Sequence, residues 1–386
     1  MTKPYDVIVI GIGGMGSSTL YELARRGKRV LGIERYDIGH SMGSSHGETR
    51  MIRLAYFEGQ SYVPMVLRAH RLWQDMSKRF NTSLMEVTGT LDIIEPGLDI
   101  VERGEAACKA YDLPYELLDA EAIMRRHPAF KLPKDYNGLF QPDGGFVMSE
   151  RAIMTLTAAA VDLGADLHPR ERVIDIEPLP SGGARVKTDA GVYEAASVVL
   201  SPGPWITKFI PTLSGTAIPY RQVFGWFRPL KPELFSRAQF PSFTLKIPEG
   251  HYYGFPLHGQ PGLKVGGPHH GREPCDPDTL IRENRPKDEV GLRNCLSRYM
   301  PDAMGPALSI KVCIYTMTPD EDFIIDHLPG APQIVIASPC SGHGFKFASV
   351  MGEILADLSQ GDKPPYDLSP FRLDRFSKTA PAGLPS

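Results

Sequence analysis

The hydrophobic and polar positions are ordered most sharply at the amino-terminal end of the chain. Val7-Ile8-Val9-Ile10 is an unbroken β-branched run, the pattern of a strand buried on both faces. Gly11-Ile12-Gly13-Gly14-Met15-Gly16 interrupts it, and Leu20, Leu23 and Ala24 then fall on one face of a helix predicted over 17–26. Gly27 stops that helix, and 29–33 predicts a second strand closing at Glu34. Two later apolar runs read as further strands of the same parallel sheet. One is 196–201, before Pro202-Gly203-Pro204. The other is 333–338, whose Ser341-Gly342-His343-Gly344 turn leads into a helix over 345–358. The pattern changes in 84–94, 138–148 and 220–267, where apolar and aromatic residues alternate with polar ones among Gly and Pro, predicting antiparallel strands. The expected fold is therefore α/β plus α+β, with one domain inserted into the other. A nucleotide-binding domain is expected from 1–83, 149–218 and 320–386, and a second domain from 84–148 and 219–319.

Composition adds few constraints. With 386 residues, 42% of them hydrophobic, the chain is long enough for two cores. Its 42 basic and 45 acidic residues leave a formal charge of −3 without a basic stripe, which argues against nucleic acid or a charged membrane as main partner. The apolar run ending at Ile10 is too short for a signal-peptide core and no stretch reaches membrane-spanning length, so a soluble cytoplasmic protein is expected. Five scattered cysteines without CxxC or Cys/His spacing predict neither a zinc site nor a disulfide framework. The tail after Lys378 is expected to be disordered.

The glycine turn carries the first chemistry. Gly11 permits the tight turn, Gly13 lets the backbone approach a pyrophosphate, and Gly16 lets helix pack on sheet, with Gly14 and Met15 completing the loop. The helix N-terminus offers N–H groups and a partial positive charge. Glu34, eighteen residues after Gly16, suits ribose hydroxyls and would repel a 2′-phosphate. This pattern serves NAD and FAD alike.

Four longer motifs separate the two. Gly43-Ser44-Ser45-His46-Gly47-Glu48-Thr49-Arg50-Met51-Ile52-Arg53 and Ser341-Gly342-His343-Gly344-Phe345-Lys346-Phe347 resemble the signatures of the monomeric sarcosine oxidase family. Asp320-Glu321-Asp322-Phe323-Ile324-Ile325-Asp326 and Asp367-Leu368-Ser369-Pro370-Phe371-Arg372-Leu373 look especially like its N-methyltryptophan oxidase branch. The resemblance covers 4–376. It implies a Rossmann-like FAD-binding domain with an interleaved antiparallel-sheet substrate domain, in a monomer that oxidises a small amino acid with O2.

Residue by residue, the resemblance implies that Cys313, in Lys311-Val312-Cys313-Ile314-Tyr315-Thr316, is joined through sulfur to the flavin. Without it, the reading would be a buried inert core cysteine. Arg53 would pair with the substrate carboxylate and Arg50 lie against the flavin; on a helix the two would share a face. Lys346 would be a second cation for the carboxylate, Tyr253 a further carboxylate ligand, and Lys264 the ammonium that activates oxygen. A strand lysine is otherwise an exposed edge residue. Ser44, His46, Val173, Gly342, His343, Gly344 and Phe345 complete the cofactor-binding candidates, with Tyr315 on the substrate side. A histidine near the amine maps to His269, with His270 as rival.

Departures from the family pattern fall on the wall around the amine. Thr244 stands where a methionine is usual, Leu54 follows Arg53 in place of histidine, and Ser45 replaces another histidine. Sarcosine, N-methylalanine, N-methyltryptophan and a cyclic imino acid such as pipecolate all remain open as substrates. Two rival functions are an oxidase with non-covalent FAD and a flavin-binding protein without turnover.

Overall fold

The computed structural model describes residues 4–180, 182–267 and 273–378. They divide into two compact units, one of 4–46, 149–220 and 314–378, the other of 47–148 and 221–313.

In the first unit the apolar runs do pair in one sheet. Strand Tyr5–Ile10 lies parallel to Val30–Ile33 on one side and to Val192–Leu200 on the other, and Val192–Leu200 is in turn parallel to Ala331–Ser338. Asp166–His168 extends the parallel run beyond Val30–Ile33, while Val173–Pro178 and Ala184–Thr188 add an antiparallel margin. Because helices cover these strands, both strand faces must be apolar, and Val7 to Ile10 are all buried. Helix Gly14–Arg25 packs against Ala348–Ser359 and Ser149–Asp162. Gly352 makes the first of these contacts possible: a Cβ there would come within 2.7 Å of the Ser18 carbonyl oxygen.

The second unit is built on a nine-stranded sheet and a three-stranded one. The expected runs are each broken by glycine. Residues 84–94 split at Gly89 (φ +71°) into Met85–Val87 and Thr90–Ile94, which enter different sheets. Residues 138–148 split likewise into Asn137–Gln141 and Gly145–Met148. The sheet is also not wholly antiparallel, as the alternation had predicted. Thr90–Ile94 and Ser242–Ile247 run parallel, a pairing open to them because no hairpin joins these two distant stretches of chain.

Residues 47–83 fall in the second unit, whereas the sequence pattern grouped them with the nucleotide-binding domain. Strand Thr49–Ile52 pairs antiparallel with Gly145–Met148, and the side-chain oxygen of Gln141 accepts the N–H groups of Leu54 and Ala55 at 2.6 and 3.1 Å.

A buried ion pair fastens helix Pro286–Tyr299 to the large sheet. Arg221 donates from both terminal nitrogens to Asp288, each at 2.7 Å, and Asp288 also accepts from the Arg285 N–H at 2.8 Å. Burial works against the Asp288 charge, but the guanidinium and the amide outweigh it and hold the carboxyl below its usual range. Asp288→Ala, which strands the guanidinium, is expected to cost about 3–5 kcal/mol in thermal or denaturant unfolding. A carboxyl lowered on folding stabilises above its unfolded pKa, and that contribution fades as pH falls through the folded value. The stability gap between wild type and Asp288→Asn should therefore be constant at neutral pH and close below roughly pH 4.

Candidate active site

The glycine turn is built as a tight cradle. Gly11 has φ +87°, and a Cβ on it would lie 2.5 Å from the Ser201 carbonyl oxygen. A Cβ on Gly16 would meet the Gly11 carbonyl oxygen at 1.9 Å, so this glycine sets helix against turn. Gly13 faces open space, with only Ser45 Oγ, at 3.6 Å, close to where a Cβ would sit. Helix Gly14–Arg25 has no acidic residue in its first turn and no side-chain cap from its Gly13 N-cap. A glycine with room above it, before a helix N-terminus that carries no acidic residue, fits the pyrophosphate of a dinucleotide such as FAD.

Glu34 is buried, and part of its capacity is already taken. It accepts the Ile12 N–H at 2.8 Å and the Tyr36 N–H at 3.0 Å, with His40 Nε2 3.3 Å away. It thus braces the glycine turn from below, and a carboxylate retains lone pairs for a ribose. Sequence reasoning missed this bracing and two further neighbours. Ser45, noted only as a departure, accepts the Gly14 N–H at 3.3 Å, and the Phe345 ring lies over Gly14.

The turn after strand Ala331–Ser338 is equally constrained. Ser341 and Gly342 both adopt positive φ, and a Cβ on Gly344 would overlap the Pro339 carbonyl oxygen at 1.6 Å. His343 stacks on Phe323 at 4.8 Å and bonds the Glu321 carbonyl at 3.0 Å. Lys346 is buried in the short helix Phe345–Phe347, its ammonium donating to the His343 carbonyl at 2.8 Å. Val173 lies in the apolar core of this unit. Ser44 is half-buried, as is Tyr315 on strand Ala307–Met317, while His46 is buried.

In the second unit the alternation along the strands sorts oil from chemistry. Leu91, Ile93, Phe243, Leu245, Tyr252, Leu263 and Val265 point to one side and join Leu292, Leu296 and Tyr299 in the core. The intervening residues share the other face. Across it the register sets Asp92 beside Thr244, Thr244 beside Tyr253, and Tyr253 beside Gly266; one row on, Phe255 neighbours Lys264. Gly266 is glycine because the Tyr253 ring lies where its Cβ would be, at 2.2 Å.

Lys264 sits on the inner strand Leu263–Gly266, only 2% exposed, which rules out the exposed-edge alternative. Its ammonium donates to the Gly47 carbonyl at 2.5 Å, the Thr49 carbonyl at 2.9 Å and Thr49 Oγ1 at 3.0 Å. The rings of Phe224 and Phe255 stand 4.7 and 5.0 Å away.

Arg50 and Arg53 do not share a helix. Arg50 is on strand Thr49–Ile52 and Arg53 follows its end. Arg50 donates from Nη1 to the Thr49 carbonyl at 2.9 Å and places Nη2 3.9 Å from the sulfur of buried Cys313. Burial pushes the Cys108, Cys275 and Cys340 thiols up to about 11. Arg53, 4% exposed, is hydrogen-bonded to Glu58 and has Nε 4.0 Å from Asp92 Oδ1. Burial opposes its charge, yet Glu58 and Asp92 hold its pKa above the ordinary guanidinium value. The Phe57 ring packs 3.8 Å from its guanidinium carbon. Thr244 Oγ1 donates to Asp92 Oδ1 at 2.5 Å. Burial raises the Asp92 pKa against the opposing pull of Arg53 and Thr244. His269 and its rival His270 lie outside the described residues.

Residues 6–358 match the family model described as FAD dependent oxidoreductase. The chain is 39% identical over 381 residues to monomeric sarcosine oxidase from Bacillus sp. (strain B-0618), covering 97% of each. It is 37% identical over 380 residues to N-methyl-L-tryptophan oxidase from Salmonella typhi, covering 97% of this chain and all of that one. Among solved structures it is similar to NikD, an unusual amino acid oxidase essential for nikkomycin biosynthesis. That likeness has a TM-score of 0.83 at 26% identity, over 96% of this chain and 98% of the other.

Proposed function

The chain belongs to the FAD-dependent oxidoreductase family, and from that membership we propose that it oxidises a small secondary amino acid, such as an N-methyl amino acid, with oxygen as acceptor. The products are hydrogen peroxide, an aldehyde and the primary amino acid. The observation that carries the reading is the buried Lys264 ammonium on the same sheet face as Tyr253. An oxidase must stabilise negative charge as oxygen is reduced, and a fixed cation in an apolar surround does so strongly.

When bound, the flavin supplies the two-electron acceptor for the amine. The chain's own groups do the rest. The glycine turn with Gly11, Gly13 and Gly16 would hold the pyrophosphate, and Cys313 would hold the flavin covalently through sulfur. The Arg50 guanidinium beside that sulfur favours the thiolate. Arg53 and Tyr253 bind the substrate carboxylate, with Lys346 as the further cation the family resemblance assigns. Gln141 fixes the backbone after Arg53 and so helps aim its guanidinium. The rings of Phe224 and Phe255 exclude water from Lys264.

Peroxide release across a panel of N-methyl and cyclic amino acids tests the reading; silence from a flavin-loaded protein across the whole panel overturns it. Arg53→Lys keeps the charge but loses the planar fork, so KM is expected to rise roughly 10- to 100-fold with a smaller change in kcat. Steady-state kinetics on the best substrate of the panel checks this.

A further inference from the structure

Beside Arg53 stand both the Phe57 ring and a polar pair, Asp92 and Thr244. Asp92 is 4% exposed, on the site face of the sheet, in register with Thr244 and one strand further from Tyr253. Its Oδ1 accepts from Thr244 and stands 4.0 Å from Arg53 Nε. Its Oδ2 accepts no hydrogen bond from the described residues. Oδ2 therefore keeps its lone pairs available to a donor, and Arg53 is already hydrogen-bonded to the second carboxylate, Glu58. Glu58 and Asp92 share the Arg53 charge, Asp92 through Oδ1 alone, and Thr244 holds Asp92 to a single orientation.

We propose that Asp92, oriented by Thr244, is a specificity-determining acceptor, and that the favoured substrates are amino acids carrying a hydroxyl or ammonium donor on their substituent or side chain. The inference deepens the oxidase reading and rests on Arg53 as carboxylate ligand. An apolar substituent leaves Asp92 Oδ2 without a donor; a hydroxyl or ammonium supplies it. Sites built to hydrogen-bond a group discriminate strongly against analogues lacking it.

The test uses calorimetric titration of the flavin-loaded enzyme with isosteric carboxylates, 3-hydroxypropionate against butyrate and 4-hydroxybutyrate against pentanoate. The hydroxyl member of at least one pair should bind about 10- to 100-fold more tightly, the range of a hydrogen bond to a charged group. Asp92→Leu should abolish or reverse that ratio, and Thr244→Val should reduce it. Should Asp92→Leu not fold, Asp92→Asn replaces it, with a reduced ratio expected. Equal or weaker binding of the hydroxyl members to wild type overturns the proposal. So does an unchanged ratio in the Asp92 variant, because a purely structural role would weaken both members of a pair alike. Hydroxyl-selective binding without peroxide from any amine would sink the oxidase reading and leave Asp92 standing. Peroxide production without hydroxyl selectivity would do the reverse, and failure of every carboxylate to bind would remove both.

Discussion

Acid precipitation of the wild-type holoprotein is expected to leave the yellow chromophore in the pellet, whereas Cys313→Ser should release it to the supernatant. A sulfur bond to the flavin survives denaturation, and hydrogen bonds to a pyrophosphate do not. The choice of Cys313 among five cysteines rests on the family resemblance of its segment, with Arg50 as a supporting neighbour. Burial raises the Cys108, Cys275, Cys295 and Cys340 thiols, and Cys313 is itself buried, so burial does not single it out. Cys313 has the Arg50 guanidinium 3.9 Å from its sulfur. A cation at that distance favours the thiolate, which is the nucleophile. Arg50→Gln should consequently slow attachment, with covalently held flavin accumulating more slowly when the apoprotein is reconstituted with FAD. Release of flavin from wild type on acid treatment would end the covalent proposal while leaving the oxidase intact.

The second large effect is expected at Lys264. Lys264→Met should lower the rate at which the substrate-reduced enzyme is reoxidised by oxygen about 10²- to 10³-fold, the usual cost of removing one preorganised electrostatic partner. Anaerobic reduction by substrate, followed by stopped-flow absorbance, should change far less. The split matters because Lys264 also ties the large sheet to the Gly47 and Thr49 carbonyls. A purely structural lysine would depress both half-reactions together, and equal losses would therefore remove the oxygen-site assignment.

The parallel sheet was legible because strands buried on both faces must be apolar throughout, and Val7 to Ile10 say so unaided. Alternating strands report two faces without saying what covers the second one. Lys264 between Leu263 and Val265, and Asp92 between Leu91 and Ile93, lie on the face of their strands away from the apolar core, yet both are buried. Nothing local reveals this, because what surrounds them comes from elsewhere in sequence. Lys264 meets Gly47 and Thr49, and Asp92 meets Thr244. Arg50 and Arg53, three apart, would share a face only if their segment were helical. The antiparallel partner Gly145–Met148, nearly a hundred residues on, draws Thr49–Ile52 into a strand instead. Glu34 was readable as an acidic residue ending a strand, but its grip on the Ile12 amide was not. That grip depends on the loop's curvature, which the glycines permit without specifying.

The parallel seam between Thr90–Ile94 and Ser242–Ile247 also joins stretches of chain that leave the ribosome far apart in time. The Thr244–Asp92 bond spans 152 positions, so the wall proposed to select the substrate has no counterpart in the nascent chain until Thr244 has been translated. Cys313 emerges later still. Flavin attachment through it would then be a post-translational event on a nearly complete chain, and a translation product truncated before it would lack the covalent anchor.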